Sequence, residues 1–211
     1  MAAEARREAA EEQFRRWKRM RRVDVSAQLK ALVGEGAKFQ DVQEPAIEAI
    51  MQQNSLVMVV MGTGAGKSML FMLPASCLTG VMVVVVLLVS LQGNLKDCCK
   101  RAGIKCVEWD SRRPSKWASI VLVTPESAVS ESFGNFISRQ QAMGRLDRIV
   151  VDECHTVLDA TEGWRTRMLG LRDLVKTEAQ LVYLTATMRL RDKSEFSRLM
   201  GLPAKGECHW I

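Results

Sequence analysis

Apolar positions in this chain fall into short continuous runs separated by polar, helix-favouring stretches. Leu56–Met61, Met82–Val89, Ile104–Trp109, Ile120–Thr124, Arg148–Val151 and Leu181–Thr185 are rich in β-branched residues and predict strands. Helical patterns fall between them, near 43–53, 67–78, 92–102, 126–142 and 165–177. Strand–helix alternation predicts an α/β fold with a mostly parallel, doubly wound sheet and helices on both faces. The run of four valines, Val83–Val86, has no polar alternation, as a strand covered on both faces requires. In such sheets ligands bind at the carboxyl ends of the strands.

The first 23 residues differ. Residues 2–23 predict a charged helix in which Phe14, Trp17, Met20 and Val23 recur every three positions among Arg15, Arg16, Lys18, Arg19, Arg21 and Arg22. Two readings compete: a contact to DNA phosphates or a partner, or a solvated helix whose apolar stripe docks on the domain. The second is favoured. The chain divides into a charged helical extension, 1–36, and a main domain, 37–205.

Composition narrows the class. With 211 residues, 47% hydrophobic and 26% charged, the chain supports one sizeable domain with its own core. The net charge of +6 is uneven: residues 1–30 hold nine Lys/Arg against five Asp/Glu. The longest apolar run, Val81–Val89, is too short for a helix to span a bilayer, which needs about 20 residues, so no membrane partner is expected. Cys77, Cys98, Cys99, Cys106, Cys154 and Cys208 contain no C-x-x-C pair, so free thiols and no structural zinc are expected. No secretory leader is visible, which fits an intracellular setting.

Chemistry concentrates in two places. Met61-Gly62-Thr63-Gly64-Ala65-Gly66-Lys67-Ser68 joins a predicted strand to a predicted helix, the context of a phosphate-binding loop. Glycines let several backbone N–H groups converge on phosphate oxygens, and the helix N-terminus adds positive potential. Lys67 is placed to reach the β- and γ-phosphates, and Ser68 to ligate Mg²⁺. The strict pattern has Gly where this chain has Met61.

The second place is Asp152-Glu153-Cys154-His155, at the end of the apolar run Ile149-Val150-Val151. Adjacent carboxylates at a sheet edge are unfavourable unless a cation neutralises them. Mg²⁺–nucleotide supplies one: Asp152 would hold the metal, and Glu153 would orient and deprotonate the attacking water. The plain structural alternatives are a glycine-rich turn and an acidic helix cap. Both lose force when the two motifs occur together.

Asp-Glu-x-His resembles the DExH members of helicase superfamily 2, and the remaining segments resemble RecQ-type DNA helicases. Phe39…Gln43 is similar to the aromatic-x-x-x-Gln element ahead of the family's phosphate loop. Val123-Thr124-Pro125-Glu126 is similar to its DNA-side element, and Thr185-Ala186-Thr187 to the motif linking hydrolysis to strand movement. Cys106–Trp109 and Ile120–Val129 look specifically like the fungal telomere-linked RecQ-like helicases. The resemblance covers roughly 37–200 and implies the first RecA-like P-loop NTPase lobe of an ATP-dependent 3′–5′ DNA helicase. It implies ATP and Mg²⁺ as cofactors, DNA as partner and the nucleus as location. By the same resemblance Phe39 and Gln43 engage the adenine, and Gly62, Thr63, Gly64, Ala65, Gly66, Lys67 and Ser68 the phosphates. His155, Thr185 and Thr187 couple the nucleotide to DNA, which Ser90, Thr124 and Arg165 contact.

Departures from the family pattern temper this. Gly62 stands where the family has Pro, Val86-Leu87 replaces Ser-Pro, and only Trp164-Arg165 aligns with the family's aromatic loop. The second RecA-like lobe, whose arginines complete the ATP site, is expected to be absent from this chain and to act in trans if at all. Slow turnover by the chain alone follows. Two other readings are an inert nucleotide- or DNA-binding fragment and a DExH RNA helicase lobe.

Overall fold

A computed structural model describes residues 2–77, 79–87, 90–113, 118–159, 170–172, 177–202 and 208–211. Its strands are β1 (Leu56–Val60), β2 (Val81–Val85), β3 (Cys106–Glu108), β4 (Ile120–Val123), β5 (Leu146–Val151), β6 (Gln180–Thr185) and β7 (Cys208–Trp210). They form one sheet in the order β3-β4-β2-β5-β6-β1-β7, and every pairing is parallel. The helices are α1 (Ala2–Met20), α2 (Val25–Val33), α3 (Gln43–Met51), α4 (Met69–Ser76), α5 (Ser90–Arg101), α6 (Pro125–Ala128), α7 (Glu131–Ala142), α8 (Thr156–Asp159) and α9 (Asp192–Met200).

Two cores, one on each face of the sheet, explain the unbroken apolar strands. Met58, Val83, Val85, Val121, Ile149, Val151 and Tyr183 face one core with Phe133 and Phe196. Their alternating neighbours Val57, Val59, Val84, Leu122, Val150 and Leu184 face the other, with Ile47, Ile50, Leu70, Phe71 and Leu73. Helix α4, immediately after the phosphate-loop sequence, is buried from Leu70 through Ala75. Burying a Leu or Phe side chain stabilises by about 1.5–3 kcal/mol, so this helix is fixed firmly to β1 and its neighbours.

The expected helix over 126–142 is two helices. Ser130 interrupts it, accepting a hydrogen bond from the Phe133 N–H and capping α7. The expected helix over 165–177 falls largely outside the described residues. Helices α2, α8 and α9 and strand β7 were not predicted. The sheet runs past residue 205, because β7 pairs with β1 through Leu56–Cys208, Val57–His209 and Met58–Trp210.

Helix α1 docks on the domain, as the favoured reading expects, with Trp17, Met20 and Val23 of the expected stripe turned inward and Phe14 left out. Gln13, Arg16, Trp17 and Met20 make the contacts, and Phe14 is 61% exposed. A three-residue period drifts around a helix of 3.6 residues per turn, which turns Phe14 about 120° away from Met20. Arg16, expected among the solvated arginines, is buried against Asp147 at 2.9 Å. Met20 and Leu29 belong to the core packed under β1.

Candidate nucleotide site

The strand order explains how distant motifs meet. β5, β6 and β1 are neighbours, and their carboxyl ends lead into Asp152-Glu153, Ala186-Thr187 and Met61–Ser68 respectively. Adjacent strands lie about 4.8 Å apart, so the three motifs share one edge within roughly 10 Å. β2 and β4, the neighbouring pair across β5, lead toward Ser90 and Thr124.

The phosphate loop turns on two left-handed glycines, Gly64 at φ 81° and Gly66 at φ 80°. At Gly66 the requirement is double, because a Cβ there would lie 2.6 Å from the Gln43 amide nitrogen. Gln43 is buried. Its amide donates to the carbonyls of Ala65 at 2.9 Å and Gly66 at 3.3 Å, and its Oε1 accepts from the Gln40 N–H at 2.8 Å. Gln43 therefore clasps the loop's backbone in this structure. Phe39 is half-buried against the core under β1. Gly62, Thr63 and Gly64 are exposed, while Ala65, Lys67 and Ser68 are half-buried.

Glu153 is the junction of the three motifs. Lys67 Nζ lies 3.3 Å from Glu153 Oε1 and donates to the Met61 carbonyl at 3.3 Å. The Ala186 N–H donates to Glu153 Oε2 at 3.4 Å, and His155 Nδ1 lies 3.4 Å from the same oxygen. Glu153 itself holds φ at 50°, a left-handed conformation that non-glycine residues seldom adopt. Such strain persists only where the surroundings enforce it, and it collects at functional sites. No sequence signal marks this φ.

His155 extends the junction to β6. Its Nδ1 is 2.8 Å from Thr185 Oγ1, and the buried Thr185 hydroxyl also donates to the Thr187 carbonyl at 2.9 Å. That hydroxyl has one proton; directed to Thr187, it leaves Oγ1 to accept from His155. A chain of polar contacts thus runs from Lys67 through Glu153 and His155 to Thr185. Thr187 itself is exposed.

Asp152 stands apart from this chain. Burial and the neighbouring Glu153 charge push its pKa up to about 6, against the pull of the Glu153 N–H, Lys67 and His155. An acid so disfavoured as an anion suits a bound divalent cation, which favours the ionised form. With Lys67 and the glycine loop beside it, the set fits a polyphosphate bound with a divalent cation. Cys154 is a core residue: burial drives its thiol pKa well above the ordinary range, and its Sγ meets Met58 Sδ at 4.0 Å.

The expected DNA-side residues are less gathered. Ser90 is exposed at the start of α5. Thr124 caps α6, its hydroxyl accepting from the Ser127 N–H at 3.3 Å. Arg165, with Trp164, lies outside the described residues. All six cysteines are free, and no group of three or more His, Cys, Asp or Glu among the described residues could hold a metal ion. No described helix is long and apolar enough to cross a membrane.

The DEAD/DEAH box helicase family model matches residues 40–196, nearly the whole span that builds this site. The chain belongs to the DEAD/DEAH box helicase family. Within it, the chain is similar to RecQ-type relatives. It is 30% identical over 179 residues to ATP-dependent DNA helicase Q5 of Rattus norvegicus, covering 77% of this chain and 18% of that protein. It is 28% identical over 167 residues to ATP-dependent DNA helicase Q1 of the same species, covering 71% and 27%. It is 27% identical over 178 residues to ATP-dependent DNA helicase RecQ of Haemophilus influenzae, covering 78% and 28%. The chain therefore spans less than a third of these relatives. Among solved structures, the DUF1998 helicase MrfA superposes with a TM-score of 0.58 at 18% identity, covering 88% of this chain and 32% of that one. The Pyrococcus furiosus Hef helicase domain gives 0.56 at 16% identity, covering 82% and 37%. Both show the fold, and a parallel sheet with helices on both faces is what the strand–helix alternation predicts.

Proposed function

We propose that this chain is the ATP-binding lobe of a RecQ-type, ATP-dependent 3′–5′ DNA helicase, and that it couples Mg·ATP hydrolysis to movement on DNA. The observation that carries the reading is Glu153. One carboxylate there is held by Lys67 of the phosphate loop, the Ala186 N–H after β6 and His155 of its own motif.

Mg²⁺ bound with ATP supplies the Lewis acid that neutralises charge on the phosphates. Ser68 and Asp152 are the residues to hold it. Lys67, released from Glu153, binds phosphate oxygens, and the freed Glu153 orients the attacking water and takes its proton. His155 and Thr185 then register the change, because both depend on where Glu153 sits. The Gln43 amide, now on the loop backbone, is the group proposed to read the adenine edge, with Phe39 beside it. Ser90, Thr124 and Arg165 remain the proposed DNA contacts, with DNA, a second RecA-like lobe in trans and a nuclear setting as the expected context. The 37–205 span is proposed as the RecA-like domain, and kinship with the fungal telomere-linked RecQ-like helicases is proposed on the Cys106–Trp109 and Ile120–Val129 stretches.

The test is Mg·ATP binding and turnover by the 211-residue chain, with and without single-stranded DNA, beside Lys67→Ala. We expect wild type to bind ATP with slow turnover, and Lys67→Ala to lose binding. Nucleotide binding by neither protein would overturn the reading and favour an inert fragment. A clear preference for single-stranded RNA over DNA would move the chain to the RNA helicases.

A further inference from the structure

Helix α1 has two faces of opposite purpose. Gln13, Arg16, Trp17 and Met20 follow i, i+3, i+4, i+7 and bind it to the domain. The Gln13 amide donates to the Leu146 carbonyl at 2.9 Å, and Arg16 reaches both the Gly144 carbonyl and Asp147 Oδ1. The Trp17 indole donates to Asp147 Oδ1 at 3.3 Å, and Met20 is 1% exposed. Arg15, Lys18 and Arg19 lie on the opposite side, Arg22 sits in the turn just after the helix, and all four are exposed.

Only the C-terminal end of this outer face has one sign; Glu4, Glu8, Glu11 and Glu12 lie on the same side earlier in α1. Residues 13–23 contain six Lys/Arg and no Asp or Glu. Arg15 has a loose, exposed contact to Glu11 at 3.9 Å, and Lys18, Arg19 and Arg22 form no ion pair among the described residues. An ordinary solvated helix mixes signs, as residues 4–12 do here. Like charges three and four apart destabilise a helix by about 0.2–0.5 kcal/mol per pair, so the repeat works against α1 unless an anion relieves it. The buried Arg16–Asp147 pair holds the face outward in one orientation. The stripe spans roughly 10 Å, the length of about three phosphates along one DNA strand.

We propose that the outer face of α1 is a second nucleic-acid site, which holds the phosphodiester backbone of duplex DNA without reading its sequence. Membrane attachment fits poorly, because an interfacial helix needs a free apolar face, and with Trp17 and Met20 held against the domain Phe14 is a single exposed large apolar side chain among the described residues of α1. The site is separate from the nucleotide site. α1 docks at Asp147, the start of β5, and Asp152 lies at its far end, about 16 Å along the strand. DNA held there stays bound whatever the nucleotide state, which would tether the protein while the other edge cycles. The proposal does not rest on the motor reading.

The test is binding of a labelled duplex of about 20 base pairs by the 211-residue chain, without nucleotide, from about 0.05 to 0.2 M salt. The quadruple variant Arg15→Gln/Lys18→Gln/Arg19→Gln/Arg22→Gln is expected to bind about tenfold or more weaker at 0.1 M salt. Its slope of log affinity against log salt is expected to be shallower by about 3–4. Thermal unfolding and Mg·ATP binding stay at wild-type values. Arg15→Lys/Arg19→Lys/Arg22→Lys, which keeps the charge, retains binding. Were the quadruple variant to misfold, Lys18→Gln and Arg22→Gln singly would each lower the slope by about one. Unchanged affinity and slope in the variants would overturn the proposal. So would tighter binding to anionic vesicles than to DNA, or displacement of the DNA by polyglutamate at equal charge.

Discussion

Asp152 is kept partly from water beside another carboxylate, and its pKa rises to about 6 from an ordinary 3.8. The sign of the consequence follows from linkage. Below pH 3.8 both folded and unfolded chains hold the proton, and Asp152 costs nothing. Between about pH 4 and 6 the unfolded chain ionises first, so the metal-free protein loses stability as pH rises, and the loss is complete above 6. Asp152→Asn removes the titration and can still accept from the Glu153 N–H. The variant is therefore expected to be more stable than wild type at pH 7–8, by roughly 1–3 kcal/mol, with the gain vanishing below pH 4. Urea unfolding without Mg²⁺ across that range checks this, and a pH-independent difference would show that Asp152 is not the group responsible. Gly66 gives a second test at this scale. Gly66→Ala forces a left-handed alanine, costing about 1–2 kcal/mol, and drives a methyl against the Gln43 amide. We expect a loss of about 1–3 kcal/mol and of most Mg·ATP binding, and normal ATP affinity would mean the loop does not need this clasp.

At the scale of elements, α1 is joined to β5 by a buried ion pair, and such pairs are asymmetric. Arg16 and Asp147 are each almost fully buried, at 5% and 2% side-chain exposure. Arg148 next to them is fully buried too, its pKa pushed down to about 10 by burial, so it stays charged at neutral pH. Asp147→Ala leaves cations without their counter-ion and is expected to cost about 3–5 kcal/mol, as is Arg16→Met. The double replacement Arg16→Met/Asp147→Leu is expected to cost clearly less than the sum. Urea midpoints for the two single variants and the pair give the coupling directly. Additive losses would mean the two side chains act separately.

The same helix shows where the sequence could be read and where it could not. The strands that build the site, β1, β2, β4, β5 and β6, announce themselves because burial on both faces gives each a continuous apolar run, with polar residues only toward the ends of β5 and β6. The loop glycines, Lys67, Asp152 and Glu153 stand out by residue type and spacing, and the fold brings them to one edge of the sheet, with Lys67 against Glu153. The buried use of Arg16 is not, since a guanidinium reads as solvent-facing until Asp147 arrives from 131 residues away. Helix α2 was legible in principle: Asp24 caps it at the Ala27 N–H, and Gly34 ends it. The left-handed Glu153 and the grip of Gln43 on the loop are consequences of tertiary packing and leave no local trace.

For the molecule as a whole, the exposed flank of the nucleotide site depends on its last strand. β1 carries the phosphate loop, and without β7 it would be the sheet's edge. β7 covers that edge through three residue pairs, and the Ile211 N–H and carbonyl add bonds to Met58 and Val60 at 2.9 Å. Trp210 packs on the core, with Lys193 Nζ 4.1 Å above its ring. Deleting 208–211 removes several backbone hydrogen bonds, each about 0.5–1.5 kcal/mol, and a half-buried indole worth about 1–2. The expected loss is about 2–5 kcal/mol. An unpaired β1 would also invite edge-to-edge association. Because Met61 follows β1 directly, loosening the strand blurs the loop geometry, and ATP affinity is expected to fall with stability. Trp210→Ala separates the two effects: it keeps the backbone pairing, so it is expected to lower the melting temperature while leaving ATP affinity within about threefold. Equal losses of affinity in both variants would mean that Trp210 packing, not the covered edge, holds the phosphate loop in place.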